Sequence, residues 1–563
     1  MDTQMNVQDA WSFAQMEDFW GFYQALTPWG RDHHDRRQVS ADIGRISQSH
    51  DDIELALAFL QRLEADPIAL DRISFHLKRM PRLPLEQKSE YELLELFQVK
   101  KFLANYRGLL SRLDPEVCRQ FGLIARCTEL AAELDRGGSD AETFFLADTY
   151  HPDLGPLRRQ LLELDAQLRA ARCAREAQAK LEHGLLFDGR DFILVQREKL
   201  PAANELSAHY LAEAYDDQTV MLRLLPDASQ LALAGRREQL LDSERQLEAA
   251  VLRHLSALVA AQMAELQAAV LAVTRWDLAR AGALLALQFA MVRPQLKAAT
   301  STDLPQLQSG RFIPCQQECH QLNLQYEALN LNLEASAAVL FGSNMGGKTV
   351  VLKTLLFFQL LAQAGLFVPA ESFITRVFGH IEYIGELAGE RLAGLSGFGF
   401  EIWRFQRVWD LHNALIAFDE LARTTGSHDA EALLSAIIEA YADSPNTRQS
   451  QAEHCLALFT THFSAVARLP GVQYLRMQGL DQQAACLSDG DGSGNQLQQR
   501  LAAINQHMRY RIVPADGTGS GSSDALAIAA MLGLDCRLVE RAGHFFESGS
   551  RLGKQPGQKP GAT

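Results

Sequence analysis

The chain has no uninterrupted apolar run of roughly 18 residues or more, the length a helix needs to cross a bilayer, so no membrane span is expected. Met1-Asp2-Thr3-Gln4 carries no basic stretch followed by an apolar run, and no secretory signal is read there. Cysteine is sparse: 8 in 563 residues, with no paired spacing. That argues against a disulfide framework and points to reduced thiols and a cytoplasmic location. Cys315 and Cys319-His320 come nearest to a metal cluster, but no second pair faces them, and no metal centre is expected from the cysteines. Positive charge is also short, with 54 Lys and Arg against 69 Asp and Glu and a net charge of −15. This removes any global electrostatic argument for nucleic acid, while leaving room for a local basic groove.

What is present centres on Gly342-Ser343-Asn344-Met345-Gly346-Gly347-Lys348-Thr349. The pattern is Gly, four residues, then Gly-Lys-Thr, the spacing of a phosphate loop. Ala337 to Phe341 before it reads as a buried strand. Val350 to Ala364 after it is apolar, free of Gly and Pro, and reads as a helix stopped by Gly365. Backbone N–H groups at such a helix start face an anion, and the helix dipole favours negative charge. Lys348 would reach the outer phosphates of a nucleotide, and the Thr349 hydroxyl would hold Mg²⁺. The competing reading is a chance match in a Gly-containing turn; the flanking strand and helix weigh against it.

Leu415-Ile416-Ala417-Phe418-Asp419-Glu420 is an apolar strand ending in two carboxylates. In an ATPase, Asp419 would hold Mg²⁺ through a water and Glu420 would polarise the attacking water. A third strand, Leu456 to Thr460, ends in Thr461-His462, where a His can contact the gamma phosphate. Any one of these is also what a packed strand with a polar end looks like. Three in order, each at a strand's C-terminal end, match the edge at which open α/β sheets bind ligands.

At these positions the sequence resembles the MutS family. Asn344-Met345-Gly346-Gly347-Lys348 looks like that family's phosphate loop, and Asp419 to Thr425 is similar to its Asp-Glu followed by Gly-Arg-Gly-Thr. Thr460-Thr461-His462-Phe463 resembles Ala-Thr-His-Tyr, and Ser396 to Glu401 resembles Ser-Thr-Phe-Met-x-Glu. The resemblance runs over roughly 311–544. It implies an ABC-type ATPase using ATP and Mg²⁺, with catalytic Glu420 and His462. It also implies a homodimer, or a heterodimer with a related chain, in which Ser396 reaches the partner's nucleotide. Departures are Ser343 for Pro, Gly397 and Gly399 for Thr and Met, and Ala422 for Gly.

Taken in order, 1–190 reads as a helical core, 191–300 as a clamp with returning lever helices, 301–547 as the P-loop ATPase domain and 548–563 as a disordered tail. The fold class expected is therefore mixed: a helical core, lever and clamp followed by an α/β ABC-type ATPase domain. Leu26-Thr27-Pro28-Trp29-Gly30-Arg31 looks like the Thr-Pro-x-Gly-x-Arg opening of the MutS core domain. By that resemblance the mismatch-reading and connector domains have no residues here, and no preference for mismatched DNA is expected. Strands are read at 192–195 and 219–225, a long helix at 236–275 and a returning helix at 277–289. From Phe192 to Arg275 there are eight Lys and Arg against eleven Asp and Glu, a balance of −3, which weakens the case for a phosphate-gripping clamp. Surface loops are read at 443–454 and 488–494.

Two roles stay open. In the first, the chain is a DNA-binding clamp ATPase related to mismatch repair and recombination, acting on branched or non-standard DNA. In the second, it is an ATP-dependent reactivase for an adenosylcobalamin-dependent aminomutase, a role associated with a MutS-like branch.

Overall fold

A computed structural model describes residues 5–63, 66–138, 140, 142–200, 209–342, 346–386, 397–423, 427–442, 455–463, 466–480, 500, 504–515 and 524–552. The chain divides into two compact units, Asp71–Ala272 and Met1–Leu70 with Val273–Thr563. The first 70 residues thus fall in one unit with Val273–Thr563.

In the unit Asp71–Ala272, helices Leu154–His183 and Ala228–Ala261 pack along each other. Arg158 pairs with Glu244 and Glu248, both at 2.7 Å, and Arg237 pairs with Asp165 at 2.6 Å. The first helix closes on Gly184 at φ 68°. The second opens on a capping box, in which Asp227 accepts from the Gln230 amide at 2.8 Å and Gln230 accepts from the Asp227 amide at 3.0 Å. Between them lies an antiparallel sheet of β1 (Ile193–Gln196), β2 (Tyr210–Ala214) and β3 (Thr219–Leu224), with β3 in the centre. Its core is small: Phe187, Tyr210, Val220 and Leu222 close over Ala179 and Leu185.

The expected helix pair 236–275 and 277–289 is corrected. One helix ends at Ala261 and the next runs Met263–Gln288, bent from it by 58°. The turn sits at Gln262 in a stretch without Pro or Gly, so nothing in residue type marks it. Among the described residues no single helix is long and apolar enough to cross a membrane.

The other unit carries, in chain order, β4 (Gln295–Lys297), β5 (Gln306–Gly310), β6 (Leu329–Asn332), β7 (Ala337–Phe341), β8 (Ser372–Arg376), β9 (His380–Ile384), β10 (Ala414–Asp419), β11 (Leu456–Thr461), β12 (Val472–Leu480) and β13 (Met508–Pro514). Strands β4, β8, β5 and β6 make one mixed sheet. The main sheet has the order β13-β12-β7-β11-β10-β9, parallel except for β13. Ala337 to Leu340, Leu415 to Phe418 and Leu456 to Phe459 are all fully buried. Parallel strands need cover on both faces, which is why these runs are apolar without alternation. Val339, Ile416, Phe418 and Phe459 meet the helices Gly397–Trp409 and Ser427–Tyr441. Helix Lys348–Gln363 packs on β10 and β11.

The N-terminal segment is pinned to this unit by polar groups. Asp277, fully buried, accepts from the amides of Leu26 (2.8 Å) and Thr27 (2.7 Å) and from the Thr27 hydroxyl (2.9 Å). Arg280 completes the pair at 3.0 Å. Thr27 in turn caps helix Pro28–Asp35 by accepting from the Gly30 amide at 3.1 Å. A Cβ on Gly30 would stand 2.7 Å from the Asp277 carboxylate, so that position needs glycine. Ser40 and Gln363 exchange bonds of 2.9 Å, tying the same segment to helix Lys348–Gln363.

The C-terminal helix Cys536–Leu552 runs past Ser548, where the tail was expected to begin. Residues 553–563 and the expected loops 443–454 and 488–494 lie outside the described residues.

The Asp277 network yields a stability prediction. Removing one member of a buried ion pair costs roughly 3–5 kcal/mol, so Asp277→Ala should move the urea midpoint followed by circular dichroism clearly downward. A midpoint equal to that of the parent protein would show that the network is not stabilising.

Candidate functional site

Strands β7, β11 and β10 lie side by side, and their C-terminal ends are level: Leu340 pairs with Thr460, and Thr460 with Asp419. The register therefore brings together residues scattered over more than a hundred positions of sequence. Lys348 and Thr349 begin the helix that follows β7, with Gly347 at its N-cap in the left-handed region at φ 85°. A Cβ on Gly347 would lie 3.1 Å from the Tyr510 ring.

The Thr349 hydroxyl is 3.1 Å from the Asp419 carboxylate. The Thr460 hydroxyl donates to the other Asp419 oxygen at 2.7 Å. Lys348 is buried; its ammonium donates to the Gly342 carbonyl at 2.7 Å and lies 3.4 Å from Glu420. His462 Nδ1 is 3.7 Å from the same Glu420 oxygen, and Arg423 is 3.6 Å from the other. Glu420 itself sits at φ 51°, with its amide donating to Thr460 at 3.2 Å. Left-handed backbone at a residue with a side chain costs energy and is held only where the surroundings fix it. Here it turns the carboxylate toward Lys348 and His462.

Ala422 is also left-handed, at φ 65°, and its amide donates to Glu401 at 2.8 Å. The resemblance put glycine at this position, and the conformation explains why: glycine takes it without a Cβ penalty.

Burial sets the electrostatics. It raises the Asp419 carboxyl above the ordinary range, offset by the Thr460 and Thr349 hydroxyls and by Lys348. It lowers the Lys348 ammonium, offset by Glu420 and Asp419. An added cation between Thr349 and Asp419 would favour the ionised carboxylate, and an added anion near Lys348 would favour the ammonium.

A cavity of about 360 Å³ adjoins Gly347, Lys348 and Thr349. Cys315, Leu329, Val351, Met477 and Tyr510 line it. Burial and the neighbouring Cys319 push the Cys315 thiol up to about 12, so it stays neutral. Size and lining match a small-molecule pocket, and the largely apolar walls with the Tyr326 and Tyr510 rings suit a heterocyclic group.

The structure thus brings Gly342, Lys348, Thr349, Asp419, Glu420 and His462 to one edge, with Gly346 and Gly347 leading into the helix. Ser343, Asn344, Met345 and Ser396 lie outside the described residues. The cavity lining is not legible in the sequence, because Cys315, Leu329, Met477 and Tyr510 come from four distant elements. Thr460 was noted only as part of a motif. Its hydrogen bond to Asp419 is invisible to local pattern, since the pairing exists only across the sheet.

Residues 338–543, which hold nearly all of this constellation, match the family MutS domain V. The chain is 25% identical to the DNA mismatch repair protein MutS of Symbiobacterium thermophilum over 459 residues, 78% of this chain and 47% of that protein. Against Endonuclease MutS2 of Lactobacillus gasseri it is 28% identical over 323 residues, 55% of this chain and 35% of the relative. Against the DNA mismatch repair protein MutS of Staphylococcus epidermidis it is 28% identical over 179 residues, 31% and 18% of the two chains. In each case the match spans less than half of the relative's length. Together these matches support membership of the MutS family.

Filling the cavity tests its use. Cys315→Phe should weaken binding of a fluorescent adenine nucleotide by at least about tenfold, ~1.4 kcal/mol, while leaving competition by inorganic tripolyphosphate unchanged. Equal nucleotide affinity in the variant would place the base elsewhere.

Proposed function

We propose that the chain is a MutS-type ATPase that binds ATP with Mg²⁺ at the ends of β7, β10 and β11 and hydrolyses it. The carrying observation is the contact between Thr349 and Asp419, 3.1 Å apart, beside Glu420 and the cavity. Hydroxyl and carboxylate oxygens are hard donors of the kind Mg²⁺ takes together with phosphate and water. Bound there, the ion would neutralise charge between the outer phosphates. The remaining work falls to the chain. Residues Gly342 to Thr349 wrap the phosphates, and Lys348 leaves Gly342 to meet them. Glu420 accepts hydrogen bonding from the attacking water and orients it. His462, half exposed beside Glu420, touches the outer phosphate. Ser396 completes the site of a second copy or a related chain.

For the object of the work, DNA is the reading the named relatives favour, through backbone contacts made by the helix pair and the β1–β3 sheet. The balance of −3 over Phe192 to Arg275 weakens that reading, and the alternative is a protein partner such as an aminomutase. The two separate on what co-purifies with the chain, nucleic acid or a mutase.

Two measurements bear on the chemistry and the assembly. Glu420→Gln should keep ATP affinity and lower kcat by at least about a hundredfold, the scale of a lost acid–base group, whereas Lys348→Ala should lose binding itself. Normal turnover in Glu420→Gln would remove the base assignment. In sedimentation, Mg²⁺ with a non-hydrolysable ATP analogue should promote association, since a ligand bound only by the assembly shifts the equilibrium toward it. A monomer hydrolysing ATP at a concentration-independent specific rate would contradict that.

A further inference from the structure

Arg404 lies on the helix Gly397–Trp409, 3% exposed. Its guanidinium donates to the Gly385 carbonyl at 2.9 Å and to the Tyr383 carbonyl at 3.2 Å, both at the end of β9. From the other side it is paired with Asp9, on the N-terminal helix Gln8–Phe13. That helix packs on β9 and on helix Lys348–Gln363. Phe13 stacks on Tyr383 with ring centres 3.6 Å apart, and the Lys353 ammonium lies 5.6 Å from the Phe13 ring.

The end of β9 matters because it borders the catalytic carboxylates. Strand β9 pairs in parallel with β10, Ile384 beside Phe418, so Gly385 falls next to Asp419. The approach is close: a Cβ on Gly385 would lie 3.1 Å from the Asp419 Cβ. A second, outer route runs from Glu386 through Arg423, 3.0 Å, to Glu420, 3.6 Å. Glu386 and Arg423 are 76% and 53% exposed. Exposed pairs of this kind are screened by water and hold little, whereas charged donors buried on carbonyls hold more firmly. The buried route through Gly385 therefore dominates.

We propose that Arg404 is a positioning residue for the hydrolytic site, with Asp9 as its support, so that the N-terminal helix governs turnover without contacting nucleotide. Asp9 holds the guanidinium, the guanidinium holds the end of β9, and the end of β9 fixes the backbone from which Asp419 and Glu420 project. This rests on the ATPase reading above. Its geometry does not, and the test separates the two.

The experiment uses the full chain with Asp9→Asn, Arg404→Gln and the double variant, each checked for an intact melting transition. Arg404→Gln should lower kcat by about tenfold and Asp9→Asn by about threefold, short of the ~10²-fold that a 1 Å misplacement can cost. Affinity for a fluorescent ATP analogue should stay within about twofold, the pattern of an interaction felt only in the transition state. The double variant should be no slower than Arg404→Gln alone, because the two residues act in one chain. Hydrogen exchange should quicken at the amides of Asp419 to Ala422 in both single variants. Additive losses, or affinity falling in step with kcat, would overturn the proposal. So would faster exchange confined to residues 9–13 and 383–385, whether or not ATP is turned over. If the parent protein itself fails to hydrolyse ATP, the ATPase reading falls, and the exchange at Asp419 to Ala422 still decides the positioning.

Discussion

The Asp419 carboxylate is half-buried at the end of β10 and held there by two hydroxyls, Thr460 at 2.7 Å and Thr349 at 3.1 Å. One comes from the neighbouring strand, the other from the helix after β7. A buried carboxylate without such donors would protonate or pull the fold open. The arrangement therefore ties three chain segments at one point, and the parallel register of β7, β11 and β10 places them there. Glu420 and Lys348 take their positions from the same knot, one following Asp419 and the other preceding Thr349.

The first 70 residues are part of this machinery's frame. Asp277 gathers the amides of Leu26 and Thr27, and Gln363 reaches Ser40 from the helix that Lys348 begins. Phe19 meets Phe357 of the same helix at 5.0 Å. These contacts steady the helix Lys348–Gln363 along its length and leave its first turn at the ends of the strands. Buried polar networks of this kind are costly when half made and specific when complete.

How much of this the sequence disclosed depends on range. The strand, glycine-rich stretch and helix around Lys348 are local, and local spacing found them. Asp419, Glu420 and His462 end apolar runs, and parallel strands buried on both faces leave that signature. The bend at Gln262 left none, because no Pro or Gly stands there. The cavity left none either: Leu329, Met477 and Tyr510 are ordinary apolar residues of three strands until the sheets bring them together. The Asp9–Arg404 pair spans 395 positions, beyond any periodicity. The left-handed Ala422 was flagged only as a substitution, and its φ of 65° gives that flag a physical meaning.

The proposed hydrolysis depends on Thr349 and Asp419 forming a cation site that operates with nucleotide. Mn²⁺ substituted for Mg²⁺ reports on it by electron paramagnetic resonance, without any need for turnover. Bound with a non-hydrolysable ATP analogue, Mn²⁺ should load in proportion to the bound nucleotide, and Asp419→Asn should weaken that loading by at least about tenfold, ~1.4 kcal/mol. Undiminished Mn²⁺ loading in Asp419→Asn, with nucleotide still bound, would contradict the assignment on which the rest depends.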